Sequence, residues 1–598
     1  MYTVYKERIR LWSRKHGIID DLQGADQESC SSLETNWLVR EVISHYAECN
    51  TPVYVCTMDV RKAFDSLWQE GLFYKFLQAG LSHSTWKIIV QLYSKPVCRV
   101  KLGQHTSSWF TAQTGIVQGA PLSMFNYQFF SNDLLRQLKN ENAGARIGEF
   151  TLTCPAFADD LTIIAPSRKG LQKLIDVAYE HSVKWRYKFS PKKCAVIACG
   201  KPQPDQPFNL GPDLIEIVPA HDHVGTLLTE SKKEKIRYIQ KRVDTCTKPG
   251  YAALSIGTCY APMTPISASK LYWSVCIPKL TYGLHLMDLP DEALSDMESF
   301  HAKMAKSYQG LPDQVSNVGA VATIGWLSVS RIILISLLLY FMRIIRLPAT
   351  NIYKKLFINR YVYHMYHEDG IHMGPVSNFL QSCKRYGLLP IIKEAIEMCS
   401  PPDVRSWKKM VHTMVKSVEN TEWRVTSGLY PTLETVANIV TKKQMLAWWE
   451  LAQILPEYLK KCRTAARLMF GCARLKKPMH RQRESDDPFC DKCDSYEEED
   501  AEHLLFRCPS NNKHRKALWN RLQMICPTQL YLDFQRLDIS ERTAFVPGAM
   551  GNSFVCEWKD IYCVLLDFIY DCYRDKQLIT WFHSYHYHNI VVIMHCRI

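Results

Sequence analysis

The chain has 598 residues, of which 47% are hydrophobic and 22% charged. This composition is that of an ordinary globular protein, and it excludes a wholly disordered chain, a collagen and a disulfide mini-protein. The formal net charge of +14 favours a nucleic acid or another anionic surface as partner. The 22 cysteines are scattered along a long chain without a signal-like N-terminus, so we expect free thiols and a location in the nucleus, the cytoplasm or both.

The N-terminal part, residues 1–229, alternates strand-like and helix-like patterns, which predicts an α/β or α+β domain. Residues 51–58 read as a strand that ends at Asp59, and residues 61–80 have helical spacing. Residues 97–102 are strand-like, and residues 121–138 are helix-like. The sequence therefore predicts that Asp59 lies at the end of a strand, just before a helix.

A hairpin is predicted next. Residues 150–157 and 161–165 are strand-like and enclose Ala158, Asp159 and Asp160. An Asp-Asp pair in a turn is usually structural. Beside apolar strands, however, adjacent like charges repel unless cations neutralise them. With Asp59 from another strand, they could hold two Mg²⁺ ions about 3.5–4 Å apart, the arrangement that serves in-line phosphoryl transfer.

The remainder, from about residue 230, is mostly helical in pattern. The apolar run 332–342 is too short to span a bilayer, which needs roughly 20 residues, and predicts a buried core helix. A basic belt follows at residues 460–483, read either as a phosphate-binding surface or as a solvated helix face.

A compact cluster then has the spacing of a metal site. Three thiols and one imidazole suit a closed tetrahedral Zn²⁺ site, and free thiols in a loop are the alternative. The predicted ligands are Cys490, Cys493, His503 and Cys508.

Several motifs, in the right order, resemble those of a reverse transcriptase of the non-LTR (LINE-type) retrotransposon class. Residues 58–66 (MDVRKAFDS) are similar to the first catalytic motif of that family, and residues 115–123 (GIVQGAPLS) to its G-x-x-Q-G-x-x-L-S motif. Residues 156–161 (AFADDL) match its F-A-D-D hairpin. Weaker matches are residues 189–194 (FSPKKC), with Ser190 in place of Asn, and 223–228 (HVGTLL), with His and Val replacing Tyr and Leu of a primer-grip hairpin.

The resemblance implies roles for individual residues. Asp59, Asp159 and Asp160 would hold two Mg²⁺ ions, assisted by the backbone carbonyl of Val60. Lys193 would act at the pyrophosphate, or it is a solvated surface lysine. Phe64 would lie under the incoming sugar and select deoxynucleotides, with a core aromatic as the alternative. The two further residues that would line the nucleotide pocket are Gln118 and Gly119.

The resemblance also implies a right-hand polymerase fold of fingers, palm and thumb, with a ferredoxin-like palm and a helical C-terminal region carrying a zinc knuckle. The expected partners are an RNA template, a DNA primer and deoxynucleoside triphosphates, without a membrane. The expected divisions are 1–229 for partial fingers and palm, 230–330 for thumb and connection, 331–485 for a helical region with the basic belt, 486–515 for the knuckle and 516–598 for a helical tail.

The resemblance thus predicts an RNA-directed DNA polymerase in which the earliest finger strands are missing, as in an N-terminally truncated copy. The alternative is a weak or inactive relic, or a domesticated protein that only binds RNA. A group II intron maturase shares the palm, but the knuckle and the F-A-D-D hairpin argue against it.

Overall fold

The structure is a computed structural model that describes residues 2–28, 30–93, 96–112, 114–200, 206–256, 263–367, 370–430, 433–547 and 558–574. The chain forms two compact units that are discontinuous in sequence. The first comprises Met1–Tyr238, Tyr282–Pro290 and Ile333–Lys408, and the second Ile239–Thr281, Asp291–Ile332 and Lys409–Ile598. The sequence-based divisions follow the chain and remain predictions. The part of the predicted tail from residue 575 onward lies outside the described residues.

The strands found among the described residues all belong to the first unit. They are β1 (Val53–Asp59), β2 (Val97–Cys98), β3 (Lys101–Leu102), β4 (His105–Thr106), β5 (Phe110–Thr111), β6 (Ala145–Ile147), β7 (Phe150–Leu152), β8 (Ala156–Phe157), β9 (Asp160–Ala165), β10 (Ala195–Cys199), β11 (Phe208–Leu210), β12 (Asp213–Ile215), β13 (His221–His223) and β14 (Thr226–Leu228).

The helices extend over both units. They are α1 (Tyr2–Lys15), α2 (Ser32–Glu48), α3 (Ala63–Ser66), α4 (Gln69–Gln78), α5 (His83–Tyr93), α6 (Ser123–Asn140), α7 (Arg168–Lys184), α8 (Lys232–Ser255), α9 (Pro265–Leu271), α10 (Ile277–Thr281), α11 (Asp291–Gln309), α12 (Asn317–Thr323), α13 (Val329–Ile345), α14 (Ile352–Tyr366), α15 (Gly374–Arg385), α16 (Leu389–Glu397), α17 (Val404–Leu429), α18 (Glu434–Ile439), α19 (Ala447–Ile454), α20 (Leu459–Met469), α21 (Lys476–Arg481), α22 (Asn512–Ile525), α23 (Thr528–Arg536), α24 (Ile539–Phe545) and α25 (Lys559–Arg574).

A four-stranded antiparallel sheet lies at the centre of the described part of the first unit, in the order β10-β1-β9-β8. In chain order this is the fourth, first, third and second strand, which is the order of the ferredoxin-like motif. Helices α3 to α6 lie between β1 and β8, and α7 lies between β9 and β10. The central strand β1 pairs on both sides, and its residues 53–58 are all buried. A strand that is covered on both faces is expected to have a continuous apolar run, whereas a strand with one solvated face alternates polar and apolar residues.

Most elements predicted in this unit are confirmed, including β1 and α6, but the single helix over residues 61–80 is wrong. The chain forms α3 and α4 with a break at Leu67. The Leu67 carbonyl accepts a hydrogen bond from the Gly115 N–H at 2.9 Å, so a distant segment takes the acceptor that a continuous helix would use.

The predicted strand over residues 150–157 is likewise divided, into β7 and β8. Pro155 lies between them and has no N–H to donate. The carbonyls of Thr153 and Pro155 still accept hydrogen bonds from Ile164 and Thr162 of β9, at 2.8 and 2.9 Å. The predicted hairpin therefore forms, with an irregular first arm.

The apolar run 332–342 forms part of α13, and its prediction as a buried helix is confirmed: Leu338, Phe341 and Met342 are fully buried. In the described part of the chain, no helix combines the length and apolarity needed to cross a membrane.

The named secondary-structure elements of the second unit's described residues are all helices, and isolated β-bridges such as Phe489–Glu498 occur between them. Its core includes the adjacent Trp448 and Trp449 of α19. Helices α20 and α25 are joined by an ion pair between Lys461 and Asp567 at 2.5 Å.

Candidate active site

Three aspartates lie at one end of the central sheet. Asp59 is the last residue of β1 and Asp160 the first of β9, and the two are direct cross-strand partners. Asp159 precedes Asp160 in the turn between β8 and β9. The antiparallel register therefore brings together carboxylates that are a hundred residues apart in sequence. Among the described residues, the ligand atoms of these three carboxylates do not all lie within 4.8 Å of one another.

Burial and mutual repulsion both act on this cluster. Burial, together with the negative charges of Asp159 and Asp59, raises the pKa of Asp160 to about 6. The pKa of Asp159 is also raised, by burial and by Asp59. The buried hydroxyl of Tyr127 has its pKa raised well above the ordinary value by burial and by all three carboxylates. An excess of negative charge in a partly desolvated place favours the binding of a cation.

The segment after α7 places Lys193 against this cluster. The Ser190 N–H donates to the Asp59 carbonyl at 2.8 Å, and Val60 forms an isolated antiparallel bridge with Phe189. Residues 191–193 then form a single 3₁₀ turn. This turn brings Lys193 Nζ to 3.3 Å from Asp59 Oδ2.

The turn that carries Asp159 is held by a side chain that the sequence analysis missed. Buried Gln23 accepts a hydrogen bond from the Ala158 N–H at 2.9 Å and donates to the Ala158 carbonyl at 3.3 Å. Ala158 has a positive φ of 58°, a conformation that costs a non-glycine residue free energy. A separation of 135 residues left no local signal for this contact.

The second motif, residues 115–123, packs against the segment that follows Asp59. The Ile116 N–H donates to the Phe64 carbonyl at 2.8 Å, and Gln118 Nε2 donates to Asp65 Oδ1 at 3.2 Å. Gly119 has a φ of 80° and open space where a Cβ would stand. The half-buried Phe64 ring stacks on Tyr127 at 5.3 Å between centroids. Phe64 and Gln118, two of the residues predicted to line a nucleotide pocket, therefore lie within, or in contact with, the segment that follows Asp59.

The hairpin β13–β14 lies beside the same sheet. His223 is buried, and its Nε2 lies 2.6 Å from the hydroxyl of Thr162, two residues after Asp160. The turn residues Val224 and Gly225 both have positive φ, 47° and 76°, as a type I′ turn requires. Asn36 of α2 donates to the His223 carbonyl at 3.3 Å. The hairpin is thus fixed to β9 and α2.

The predicted metal ligands Cys490, Cys493, His503 and Cys508 converge in the second unit, with ligand atoms all within 4.8 Å of one another. Cys493 Sγ lies 3.3 Å from His503 Nε2, and the Cys508 N–H donates to the His503 carbonyl at 2.7 Å. His503 Nδ1 lies 3.0 Å from Glu497 Oε2, which fixes the ring. Burial raises the pKa of the Cys493 thiol, but hydrogen bonds with Ser495, Cys490 and His503 outweigh it and lower the pKa below the ordinary value. The donor set and its spacing fit Zn²⁺.

The basic belt contains residues with partners inside the second unit. Lys477 pairs with Glu498 and Asp500 at 2.8 and 3.0 Å, and Arg467 donates to the Gly310 carbonyl at 2.9 Å. Together with Lys461, these residues contribute to packing.

Comparisons with known proteins agree with the motifs. Residues 11–240 match the family described as reverse transcriptase (RNA-dependent DNA polymerase). The chain is 26% identical over 205 residues to the Pol polyprotein of a type-1 R2 retrotransposable element of Nasonia vitripennis, covering 33% of this chain and 20% of that protein. It is 24% identical over 268 residues to the RNA-directed DNA polymerase from mobile element jockey of Drosophila funebris, covering 43% of this chain and 28% of that protein. The chain therefore spans less than a third of either relative.

Among solved structures, a telomerase from Candida tropicalis with a fragment of telomeric RNA is 11% identical, with a TM-score of 0.26 over 64% of this chain and 52% of that chain.

Proposed function

Residues 11–240 are a reverse transcriptase domain of the non-LTR retrotransposon class with a right-hand polymerase-like fold, and from this premise we propose that the chain extends a primer by copying an RNA template into DNA. The observation that carries the proposal is the register of β1 and β9, which pairs Asp59 with Asp160 and sets Asp159 beside them. In this proposal the central sheet is a ferredoxin-like palm and the segment from α8 onward serves as thumb.

Asp59, Asp159 and Asp160 would hold two Mg²⁺ ions, with the Val60 carbonyl as a further ligand. Bound there, the ions would lower the pKa of the primer 3′-hydroxyl and neutralise charge on the leaving pyrophosphate. The chain's own residues supply position: Gln23 fixes the turn that carries Asp159, and the register of the strands fixes Asp59 against Asp160.

Residues around the cluster would select and orient the nucleotide. Phe64 would lie under the deoxyribose, where a ring excludes a 2′-hydroxyl. Gln118 would offer its amide, and Gly119 would let the backbone approach the substrate closely, because no Cβ intervenes. Lys193 would neutralise the pyrophosphate from its position beside Asp59.

In the second unit, Cys490, Cys493, His503 and Cys508 would hold one structural Zn²⁺ as a knuckle. Glu497 would keep the imidazole oriented. Zinc knuckles are among the modules that contact RNA. Single-stranded template is therefore the ligand we assign to this region.

Incorporation of dTTP on poly(rA)/oligo(dT) with Mg²⁺ tests the proposal. The Asp159→Asn chain should lose incorporation by at least about 10²–10³-fold, because a neutral amide no longer attracts the cation. Its affinity for the template in a filter-binding assay should stay unchanged. The matched control is Asp176→Asn, an exposed aspartate of α7 that should retain full activity.

Two results would contradict the proposal. Synthesis retained in Asp159→Asn would remove the metal role of the cluster. Template binding without incorporation by the unaltered chain would leave an RNA-binding protein in place of a polymerase.

A further inference from the structure

A second group of possible metal ligands lies in the first unit. Glu48 ends α2, His364 lies on α14, and His372 lies in the segment between α14 and α15. Each offers one ligand atom, and these atoms all lie within 4.8 Å of one another. Neither the polymerase motifs nor the cysteine cluster includes any of these residues.

Several polar atoms of these side chains are buried and yet lack hydrogen-bond partners among the described residues. The Glu48 side chain is 1% exposed, and its Oε2 makes no hydrogen bond to the described residues. The same holds for Nδ1 of His364, a residue that is 6% exposed, and for both ring nitrogens of His372. Buried polar atoms are rarely left without a partner, since each costs roughly 1–3 kcal/mol. Carboxylate and imidazole atoms gathered at one point form a donor set that suits a cation.

The distances suit a small ion. Glu48 Oε1 lies 3.3 Å from His364 Nε2, which leaves Oε2 of the same carboxylate beside the imidazole and without a hydrogen bond to the described residues. Two ligands of a tetrahedral ion with bonds of about 2.0–2.1 Å are about 3.3 Å apart, a separation that the 4.8 Å limit on the ligand atoms of this group allows. The rings of His364 and His372 are 4.5 Å apart between centroids and inclined by 50°, so they are close neighbours that do not stack flat.

The charges around the group also favour a cation. Arg360 is fully buried and bridges two carboxylates, with Nε 2.7 Å from Glu41 Oε1 and Nη2 2.8 Å from Glu48 Oε1. Its Nη1 lies 3.0 Å from Nδ1 of His45, which therefore accepts and carries no proton there. One guanidinium faces two buried carboxylates, which leaves one uncompensated negative charge.

We propose that Glu48, His364 and His372 bind a divalent transition-metal ion, and that Zn²⁺ is the ion they suit best. Imidazole donors favour Zn²⁺ over Mg²⁺ and Ca²⁺, which prefer sets of oxygen ligands. Glu48 Oε1 is already used by Arg360 and by the Met373 N–H, at 2.8 and 2.6 Å, so the free Oε2 faces the ion. The ion connects the end of α2 to α14 and to the segment before α15. Its role is therefore structural.

The test counts metal in the full chain. Zinc is measured by mass spectrometry after dialysis against excess Mg²⁺, which keeps the aspartate cluster saturated. The Cys490→Ser/Cys508→Ser chain, which lacks the cysteine site, should retain one Zn²⁺. Adding His372→Gln should remove that ion, while adding His367→Gln should not. His367 is an exposed neighbour whose ring stacks on Tyr363, and it lies outside the group.

A gain of ligand separates metal binding from a folding defect. His372→Cys in the same background should restore one equivalent of metal, and Co²⁺ should then give a thiolate-to-cobalt charge-transfer band that the background chain lacks. The proposal is overturned if the background chain binds no zinc while folded by circular dichroism, if His372→Gln retains zinc, or if His372→Cys gives no such band. None of these results bears on polymerase activity, so failure here and failure of the proposed function are distinguishable.

Discussion

The position of the aspartate cluster depends on a residue outside the recognised motifs. Gln23 makes two hydrogen bonds to the backbone of Ala158, whose positive φ turns the chain into Asp159. A backbone conformation of this kind persists only when its surroundings impose it. Gln23 is therefore a positioning residue for the aspartate cluster.

Replacement Gln23→Leu should lower the free energy of unfolding by about 1–3 kcal/mol, because a similar volume is kept while the buried Ala158 amide loses its partner. Dideoxynucleotide-terminated incorporation assays should show a lower kcat with template affinity unchanged. Urea unfolding gives the stability. The exposed Gln104→Leu serves as the control and should change neither quantity. Equal stability and equal kcat in Gln23→Leu would remove the positioning role.

A buried histidine in the second unit makes stability depend on pH. His301 is fully buried, with Nδ1 3.0 Å from the Tyr272 hydroxyl and Nε2 3.0 Å from the Leu327 carbonyl. Burial lowers its pKa to about 4, although the hydrogen bond to Leu327 acts in the opposite direction. In the unfolded chain the histidine pKa is about 6.5. Between about pH 6.5 and pH 4, the unfolded chain therefore binds a proton at His301 that the native state does not bind.

The free energy of unfolding contributed by His301 should be complete above pH 6.5 and should fall as the pH is lowered towards 4, by up to about 3 kcal/mol. His301→Gln, which cannot titrate, should show a shallower fall between pH 7 and pH 5. Urea midpoints at the two pH values measure it. If the free energy of unfolding falls as steeply in the variant as in the parent, a group other than His301 takes up the proton.

At the scale of elements, the hairpin β13–β14 shows a conflict between sequence and backbone. The turn needs two residues of positive φ, and Gly225 suits this need. Val224 does not, because a β-branched side chain is strained at a φ of 47°. The hairpin forms nonetheless because His223, Asn36 and Thr162 hold it in place.

Val224→Asn should therefore raise the free energy of unfolding by about 1 kcal/mol, since Asn tolerates the left-handed conformation. Thermal unfolding monitored by circular dichroism measures the change. Val224→Ile keeps the β-branch and should leave stability unchanged. A destabilised Val224→Asn chain would show that the valine side chain contributes more by packing than it costs in strain.

The secondary-structure elements also show which features could be predicted from the sequence. Strand β1 and the Asp159–Asp160 hairpin were predictable because long apolar runs with polar ends carry a local signal. The break at Leu67 was not, since it depends on a hydrogen bond from Gly115. Gln23 was missed for the same reason: its partner is determined by the tertiary fold. The convergence of Glu48, His364 and His372 joins segments more than 300 residues apart, beyond any spacing rule.

At the scale of the whole molecule, the net charge of +14 should govern affinity for the template. Each phosphate contact releases condensed counterions, so binding weakens as salt is added. For about five contacts on a single strand, affinity should fall about 10²-fold between 50 and 200 mM salt. Filter binding to poly(rA) over a salt series measures the slope. A flat profile would assign recognition to uncharged contacts.

The ammonium of Lys193 is mostly exposed and touches Asp59, as described above. Exposed ion pairs of this kind contribute little free energy and exchange readily. A divalent ion that competes for the same oxygens would dislodge the lysine and leave its charge free within reach of the reacting phosphates. Binding of the ion and release of the Lys193 ammonium would then occur together. In the absence of the ion, Lys193 would partly neutralise the Asp59 carboxylate in its place.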